Sequence, residues 1–314
     1  MVDLYAAVDL GASNVRVALG DERGFRKKLR EETERNKGAK GIAAQIIRMI
    51  RSLDGDDIAA VGVGSLGPLD LSAGSVANPP NMPFTRIPIV EPLEQEIQKP
   101  VRLLNDCSTA VLGERAFGAG RGIENLVYVT LSTGLGAGVI VDGHLLVGKD
   151  GNAVEVGHLT IDPDSELVCG CGCRGHWEAY CSGGNIPNFV RLLLRDRDWR
   201  GSLLHELSSG DPMAITTVNL FAAAAGGDSL ALWMTRRIGE VNAIGFSDIV
   251  NAYDPELITV GGAVALENPD LILKPIKDNI DRHLINRRPE IRITSLGGEA
   301  VLYGALALAM RKET

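Results

Sequence analysis

The sequence predicts an α/β protein built by duplicating one unit. An apolar run from Leu4 to Leu10 meets a Gly/Ser turn and continues as an alternating run from Val15 to Leu19. The same order returns at Leu126 to Leu131, which leads through Ser132–Gly138 into Val139 to Val141. Strand patterns interleaved with helical ones belong to layered α/β domains. A single long-range copy of the unit argues for duplication and against a short-period solenoid.

The first two runs form an opening hairpin, and Asp21 to Gly24 supply the next turn. Residues 38–53 carry Ile42, Ile46, Ile47 and Ile50 at helical spacing. Ile58 to Val63 is a further strand that runs on toward Gly64 and Gly67-Pro68. A proline-rich loop follows, Asn78-Pro79-Pro80-Asn81-Met82-Pro83. Val101 to Leu104 is a short strand ending at Asn105-Asp106, with a helix predicted over 109–117. Asp142-Gly143 turns the second hairpin. The stretch 182–245 lacks strand alternation and reads as helical. Leu257 to Val260 is a strand ending at Gly261-Gly262, and a last helix runs through 300–311.

The 314 residues suffice for one large domain or two lobes of about 150 residues each. Hydrophobic residues make up 45% and charged residues 23%, the balance of a soluble globular protein. Aromatics are only 4%, so a mostly aliphatic core is expected. The net charge of −8 argues against a general nucleic-acid binder. Arg26-Lys27-Lys28, followed at once by Glu31 and Glu32, reads as solvated surface. There is no signal-peptide pattern and no 18-residue apolar run, which predicts a cytoplasmic protein without a membrane span.

Four of the five cysteines lie between 169 and 181, and the fifth is Cys107. The chain reads Glu155-Val156-Gly157-His158, then ten residues, then Cys169-Gly170-Cys171-Gly172-Cys173-Arg174-Gly175-His176-Trp177-Glu178. Two histidines and three cysteines within 19 residues suit a tetrahedral zinc site in a reducing compartment. The flanking acids Glu155 and Glu178 suggest a metal knot that aims carboxylates at a polar, hydroxyl-bearing ligand. A purely structural knuckle has the same pattern.

The two glycine-rich turns, Asp9-Leu10-Gly11-Ala12-Ser13-Asn14 and Ser132–Gly138, can cradle a polyphosphate with backbone N–H groups and hydroxyls. An ordinary hairpin uses the same residues, but two such turns favour a nucleotide. Neither contains a GxxxxGK[ST] phosphate loop, and no GxGxxG follows the first strand. Asp106 follows the carboxyl end of a buried strand, where α/β sheets place ligands, and can serve as a base for a hydroxyl. Capping the next helix is its plainer role. Asn78 and Asn81 can bind sugar hydroxyls or simply form turns. Gly261-Gly262 can let a base or ribose pack on the backbone.

Taken together, these motifs resemble the ROK family (repressors, open reading frames and kinases) of sugar kinases, within the actin-like, ribonuclease-H-like ATPases. The resemblance runs over about residues 4–310. It implies a two-lobed fold of duplicated α/β domains with a cleft between them and a zinc-binding loop. The implied small lobe is 1–114, completed by 300–314, and the large lobe is 115–299. Asp9–Asn14 is similar to the first phosphate motif, usually DxGGT, and Ser132–Gly138 to the second. This implies ATP contacts from Asp9, Gly11, Ala12, Ser13, Asn14, Thr133, Gly134, Gly261 and Gly262, with Asp9 reaching Mg²⁺ through water. Leu103-Leu104-Asn105-Asp106 matches the segment that carries the catalytic Asp. Asn78–Asn81 resembles the sugar loop, Glu155–His158 the GExGH element, and Cys169–Glu178 the CxCGxxGCxE signature. Implied sugar contacts are Asn81, Asn105, Glu155, His158 and Glu178.

The implied structural zinc ligands are His158, Cys169, Cys171 and His176. His176 stands where the family has its third cysteine, and Cys173 is left spare as a competing ligand. Ala12 and Ala137 replace common glycines, Ser13 a threonine, Ser108 a common Asn, and Val154 the Gly before Glu155. The implied reaction transfers the γ-phosphoryl group of Mg·ATP to the 6-hydroxyl of a hexose, glucose or several hexoses, with Asp106 taking the proton. N-acetylmannosamine or N-acetylglucosamine is the alternative acceptor, and a non-catalytic sugar sensor the remote alternative. Repressor members carry an added N-terminal helix-turn-helix, for which a phosphate motif at residue 9 leaves no room. The family also implies a homo-oligomer, dimer or tetramer, while the acidic charge and the lack of a long apolar run predict neither a nucleic-acid nor a membrane partner.

Overall fold

The computed structural model describes residues 3–311; residues 1, 2 and 312–314, which the predicted lobes included, lie outside it. The first sheet grows from the N-terminal hairpin. β1 (Tyr5–Leu10) pairs antiparallel with β2 (Asn14–Asp21), and β2 with β3 (Gly24–Glu32). Helix α1 (Ala39–Ser52) follows, then β4 (Val61–Ser65), parallel to β1. A small sheet of β5 (Leu69–Asp70), β6 (Ser75–Ala77) and β7 (Arg86–Pro88) precedes α2 (Val90–Ile97). β8 (Val101–Asn105), parallel to β4, completes the order β3-β2-β1-β4-β8, and α3 (Asp106–Ala116) starts directly from its end.

β1 is buried from Ala6 onward because both faces of the sheet are covered. That is why it reads as a continuous apolar run. Val8 and Leu10 share one core with Ile42, Ile46, Met49 and Ile50 of α1, while Ile47 is only partly buried. Ala7 and Ala18 face the other way, toward Leu302, Ala305 and Leu306.

The second half repeats the plan. It begins with β9 (Leu126–Leu131), β10 (Leu135–Val141) and β11 (His144–Leu145). Helices α4 (Glu178–Cys181), α5 (Ile186–Leu194), α6 (Leu203–Leu207), α7 (Thr217–Ala225) and the 25-residue α8 (Ser229–Tyr253) come next. The chain ends with β12 (Leu257–Gly261), α9 (Ala263–Glu267), α10 (Pro269–Asn279), β13 (Glu290–Ile293) and α11 (Ala300–Met310). The sheet order β11-β10-β9-β12-β13 matches the first sheet strand for strand. The duplication expected from two hairpins is therefore present in the topology.

The charged run read as solvated surface is exposed, and it forms the edge strand β3, whose Lys and Arg side chains suit an edge open to water. Two local expectations change. The helix expected over 109–117 begins at Asp106. The glycine-rich run 134–138 is mostly strand, so the second turn is only Ser132–Gly134. Gly138 is there for close packing: a Cβ would lie 2.1 Å from the Cys107 carbonyl oxygen.

The chain divides into two compact units, 1–128 with 138–154 and 294–314, and 129–137 with 155–293. The first unit thus runs past 114 and takes in two later segments, the second of which overlaps the expected completion by 300–314. Gly138 seats one of them on α3. The Asn152 carboxamide brackets Leu69, accepting from its N–H (2.7 Å) and donating to its carbonyl (2.8 Å). The last segment is tied in where Thr294 donates its hydroxyl to Glu114 and α11 crosses α3 at Gly304, whose Cβ would fall 1.7 Å from the Thr109 carbonyl oxygen. Among the described residues no helix is long and apolar enough to cross a membrane.

Candidate active site

In the first unit the parallel strands β1, β4 and β8 end together. Leu10 lies beside Ser65, and Ser65 beside Asn105. Asp9 and Asp106 therefore emerge at the carboxyl edge of one sheet. Asp9 sits directly opposite Arg16 in the hairpin register and forms an ion pair with it, though its Oδ2 lacks a well-directed hydrogen bond. Burial pushes the Asp9 carboxyl up to about 6, the Arg16 guanidinium opposes this, and the charge of Asp106 adds to the rise.

The first glycine turn is closed by Gly11 N–H donating to Asn14 O (2.9 Å). Thr33 holds it from outside, N–H to Ser13 O (3.0 Å) and hydroxyl to Gly11 O (2.9 Å). Arg30 donates to Asn14 Oδ1 (3.1 Å), and Arg35 reaches Ser13 Oγ (3.4 Å). These guanidinium groups set positive charge beside a turn expected to hold phosphates. Sequence reasoning missed them, because Arg30 belongs to the run read as surface.

Asn105, in extended conformation, caps α3 by accepting the Cys107 N–H (2.9 Å). Asp106 is the first helical residue, and its Oδ1 accepts the same N–H (2.8 Å). The capping role that the sequence left open for Asp106 is shared with Asn105, which occupies the cap position. Gly67 leaves room for the Asn105 amide, since a Cβ there would lie 3.2 Å from Nδ2. Asn78 has φ 46° and donates its N–H to Thr85 O (2.8 Å), so it shapes the loop. Asn81 is exposed on that loop.

In the second unit, segment 169–173 folds as a tight turn in which Cys169 N–H donates to Cys173 O (2.8 Å). Gly172 has φ 89° and Gly175 φ 70°; at Gly175 a Cβ would strike Asp162 O at 1.8 Å. Ligand atoms of His158, Cys169, Cys171 and His176 all lie within 4.8 Å of one another. Cys169 Sγ is 3.6 Å from His158 Nδ1, and Cys171 Sγ is 3.3 Å from His176 Nδ1. Tetrahedral zinc spaces its ligand atoms by about 3.4–3.8 Å, so these four side chains fit the ion. Cys173 is exposed and stands outside the group.

Trp177, between His176 and Glu178, anchors the motif in the core. It is fully buried, donates Nε1–H to Asn242 Oδ1 (2.9 Å) and stands edge-on to Phe246. Gly245 makes the space, since a Cβ would meet the indole at 2.2 Å. Glu178 Oε2 accepts the Leu135 N–H (2.9 Å), and Oε1 faces Cys169 Sγ at 3.4 Å. Desolvation pushes the Glu155 carboxyl above its usual value, although part of the residue meets solvent; His158 opposes the shift and Glu178 adds to it. Val154, just before Glu155, has φ 68°, a strained state for a β-branched residue where glycine is at ease.

A cavity of about 490 Å³ opens beside Ser132 and Thr133, within the size range of small-molecule sites. Phe221 and Val264 give it an apolar wall; Glu267 and Asn268 add polar groups. Gly261, Gly262 and Gly134 are not part of this wall, but Ala263 and Val264 are. Gly262 has a backbone reason of its own: φ is 85°, and a Cβ would lie 2.3 Å from Leu131 O. Sequence reasoning missed Phe221 and Glu267, because helical periodicity does not tell a wall facing a cavity from one facing the core.

The family model described as the ROK family matches residues 5–312. The chain belongs to the ROK family. This ROK chain is 40% identical over 314 residues to a glucokinase of Pyrobaculum calidifontis, covering 98% of the chain and 95% of the relative. It is 31% identical, with a TM-score of 0.80, to the crystal structure of a ROK family glucokinase from Streptomyces griseus in complex with glucose and AMPPNP, covering 98% and 99% of the two chains. A ROK hexokinase from Thermus thermophilus is 30% identical, with a TM-score of 0.81 over 98% and 97%.

Asp9 carries a stability cost that pH should reveal in this ROK protein. The unfolded chain releases this proton near 3.8, the folded chain near about 6. Stability is complete below the lower value and falls as pH rises through the upper one, by about 3 kcal/mol. Asp9→Asn removes that loss. In urea unfolding it should match the parent near pH 4 and exceed it at pH 8. Parallel pH profiles for the two proteins would refute the assignment.

Proposed function

We propose that this ROK protein is an ATP-dependent hexose kinase that phosphorylates glucose at its 6-hydroxyl. The observation that carries the reading is the placement of Asp106 at the end of β8, beside Asp9, with helix capping supplied by Asn105. Whole-chain similarity to glucokinases supports it.

Asp106 orients the acceptor hydroxyl and takes its proton at a carboxylate oxygen. Phosphoryl transfer is loose, so the remaining residues act mainly by positioning and by countering charge. The turns at Gly11–Ser13 and Ser132–Gly134 hold the phosphates, and the 490 Å³ cavity beside the second turn takes the nucleoside. Asp9, a carboxylate at the sheet edge, suits Mg²⁺ through water. When bound, the ion neutralises phosphate charge. Asn81, Asn105, Glu155, His158 and Glu178 are the proposed sugar contacts. Zinc on His158, Cys169, Cys171 and His176 has a closed ligand set and fixes the loop that aims Glu155 and Glu178.

A coupled assay with Mg·ATP across glucose, mannose, fructose, N-acetylglucosamine and N-acetylmannosamine tests the reading. The expected outcome is strong turnover on glucose. Turnover confined to an N-acetylated sugar would move the protein to amino-sugar chemistry. Failure on every sugar would remove the kinase assignment.

A further inference from the structure

We propose that Glu178 is a positioning residue for the nucleotide: it fixes the phosphate turn Ser132–Gly134, beyond any contact it makes with sugar. The inference rests on the kinase reading above.

The turn is three residues long and sits between two strands. One bond is internal, Ser132 N–H to Gly134 O (3.0 Å). Three more come from a single short segment that leaves the zinc motif. Glu178 Oε2 accepts the Leu135 N–H (2.9 Å). Gly183 N–H donates to Ser132 O (2.6 Å), and Gly184 N–H to Thr133 O (3.0 Å). The backbones touch here. A Cβ on Gly183 would lie 2.8 Å from Ser132 O, one on Gly184 3.0 Å from Thr133 O, and one on Gly134 3.1 Å from Glu178 Oε2.

The chemistry of anion binding gives this arrangement a purpose. A turn that receives phosphate must direct carbonyl oxygens away from it, because they repel the anion. Both outward carbonyls of this turn are taken up by residues 183 and 184. The carboxylate of Glu178 pins the exit of the turn through the only bond of the three that involves a charge. Charged partners make the stronger hydrogen bonds. Glu178 is itself held at the other end, since the neighbouring Trp177 is locked into the core by Asn242 and Gly245.

The test is isothermal titration of the full zinc-loaded chain with ADP and with adenosine, without sugar. Glu178→Leu should weaken ADP about tenfold, the effect of one hydrogen bond to a charged group, and leave adenosine within about twofold. Glu178→Gln keeps an oxygen for the Leu135 N–H and should hold ADP within about threefold of the parent. Gly183→Ala presses on the turn from the other side and should reproduce the ADP-selective loss, which covers the case of a leucine variant that does not fold. Equal loss of ADP and adenosine overturns the inference, because that marks general damage to the unit. Unchanged ADP affinity in both the leucine and alanine variants also overturns it. If the parent protein binds neither ligand, the kinase reading fails, and this inference with it.

Discussion

Asp106→Asn should abolish most sugar phosphorylation while leaving glucose and ATP affinity close to those of the parent. The structure makes this substitution unusually clean. Asparagine keeps the shape of the side chain and an oxygen for the Cys107 N–H that Asp106 Oδ1 accepts at 2.8 Å. The helix start does not depend on the carboxylate alone, because Asn105 accepts the same N–H. What disappears is a base and a negative charge. Loss of a positioned base costs about 10²–10⁴-fold in turnover. A second effect follows from the same charge. Asp106 helps push the Asp9 carboxyl up, so the variant should titrate Asp9 at a lower pH. Steady-state kinetics, sugar titration and a melting curve together decide the matter. Near-normal turnover would remove Asp106 from the reaction. Lost sugar binding with an intact melt would make it a binding group instead.

Much of this was legible in the sequence, for identifiable reasons. Buried strands read as apolar runs, so β1, β8, β9 and β12 were found within a residue or two. A metal cluster among five closely spaced His and Cys residues was legible because such donors are rare; the choice of His158, Cys169, Cys171 and His176 came from the family resemblance, and these four do lie together. β3 was not, because an edge strand with one wet face carries the same Lys, Arg and Glu as a loop. The position of Ser132–Gly134 within a strand-rich run was blurred by glycines that serve strand packing, as at Gly138. The cavity wall at Phe221 and Glu267 left no local mark, since it exists only once α7 and α9 are brought beside the turn. The double use of Asn105 as cap and proposed sugar ligand needs coordinates too.

Stripping zinc should cost the protein more stability than any single surface change, and it should do so through four named residues. The segment 158–178 has little regular structure of its own; it is held by two isolated bridges, Thr160 with His176 and Val168 with Arg174, and by the clustered donors. Binding energy at structural zinc is folding energy, on the order of 10 kcal/mol in small zinc domains. Here Trp177 has anchors of its own in the core, Asn242 and Phe246, so only part of that should appear, as a melting point lower by about 10 °C after chelation. Cys173 decides which residues are responsible. It is exposed and outside the four-atom group. Cys173→Ser should therefore keep one zinc per chain and the parent melting point, whereas Cys171→Ser and His176→Ala should lose both. Metal content by emission spectroscopy, read beside the melt, separates the cases. If Cys173→Ser loses the ion and His176→Ala keeps it, the fourth ligand is the cysteine, and the loop must then close on the metal with His176 turned aside.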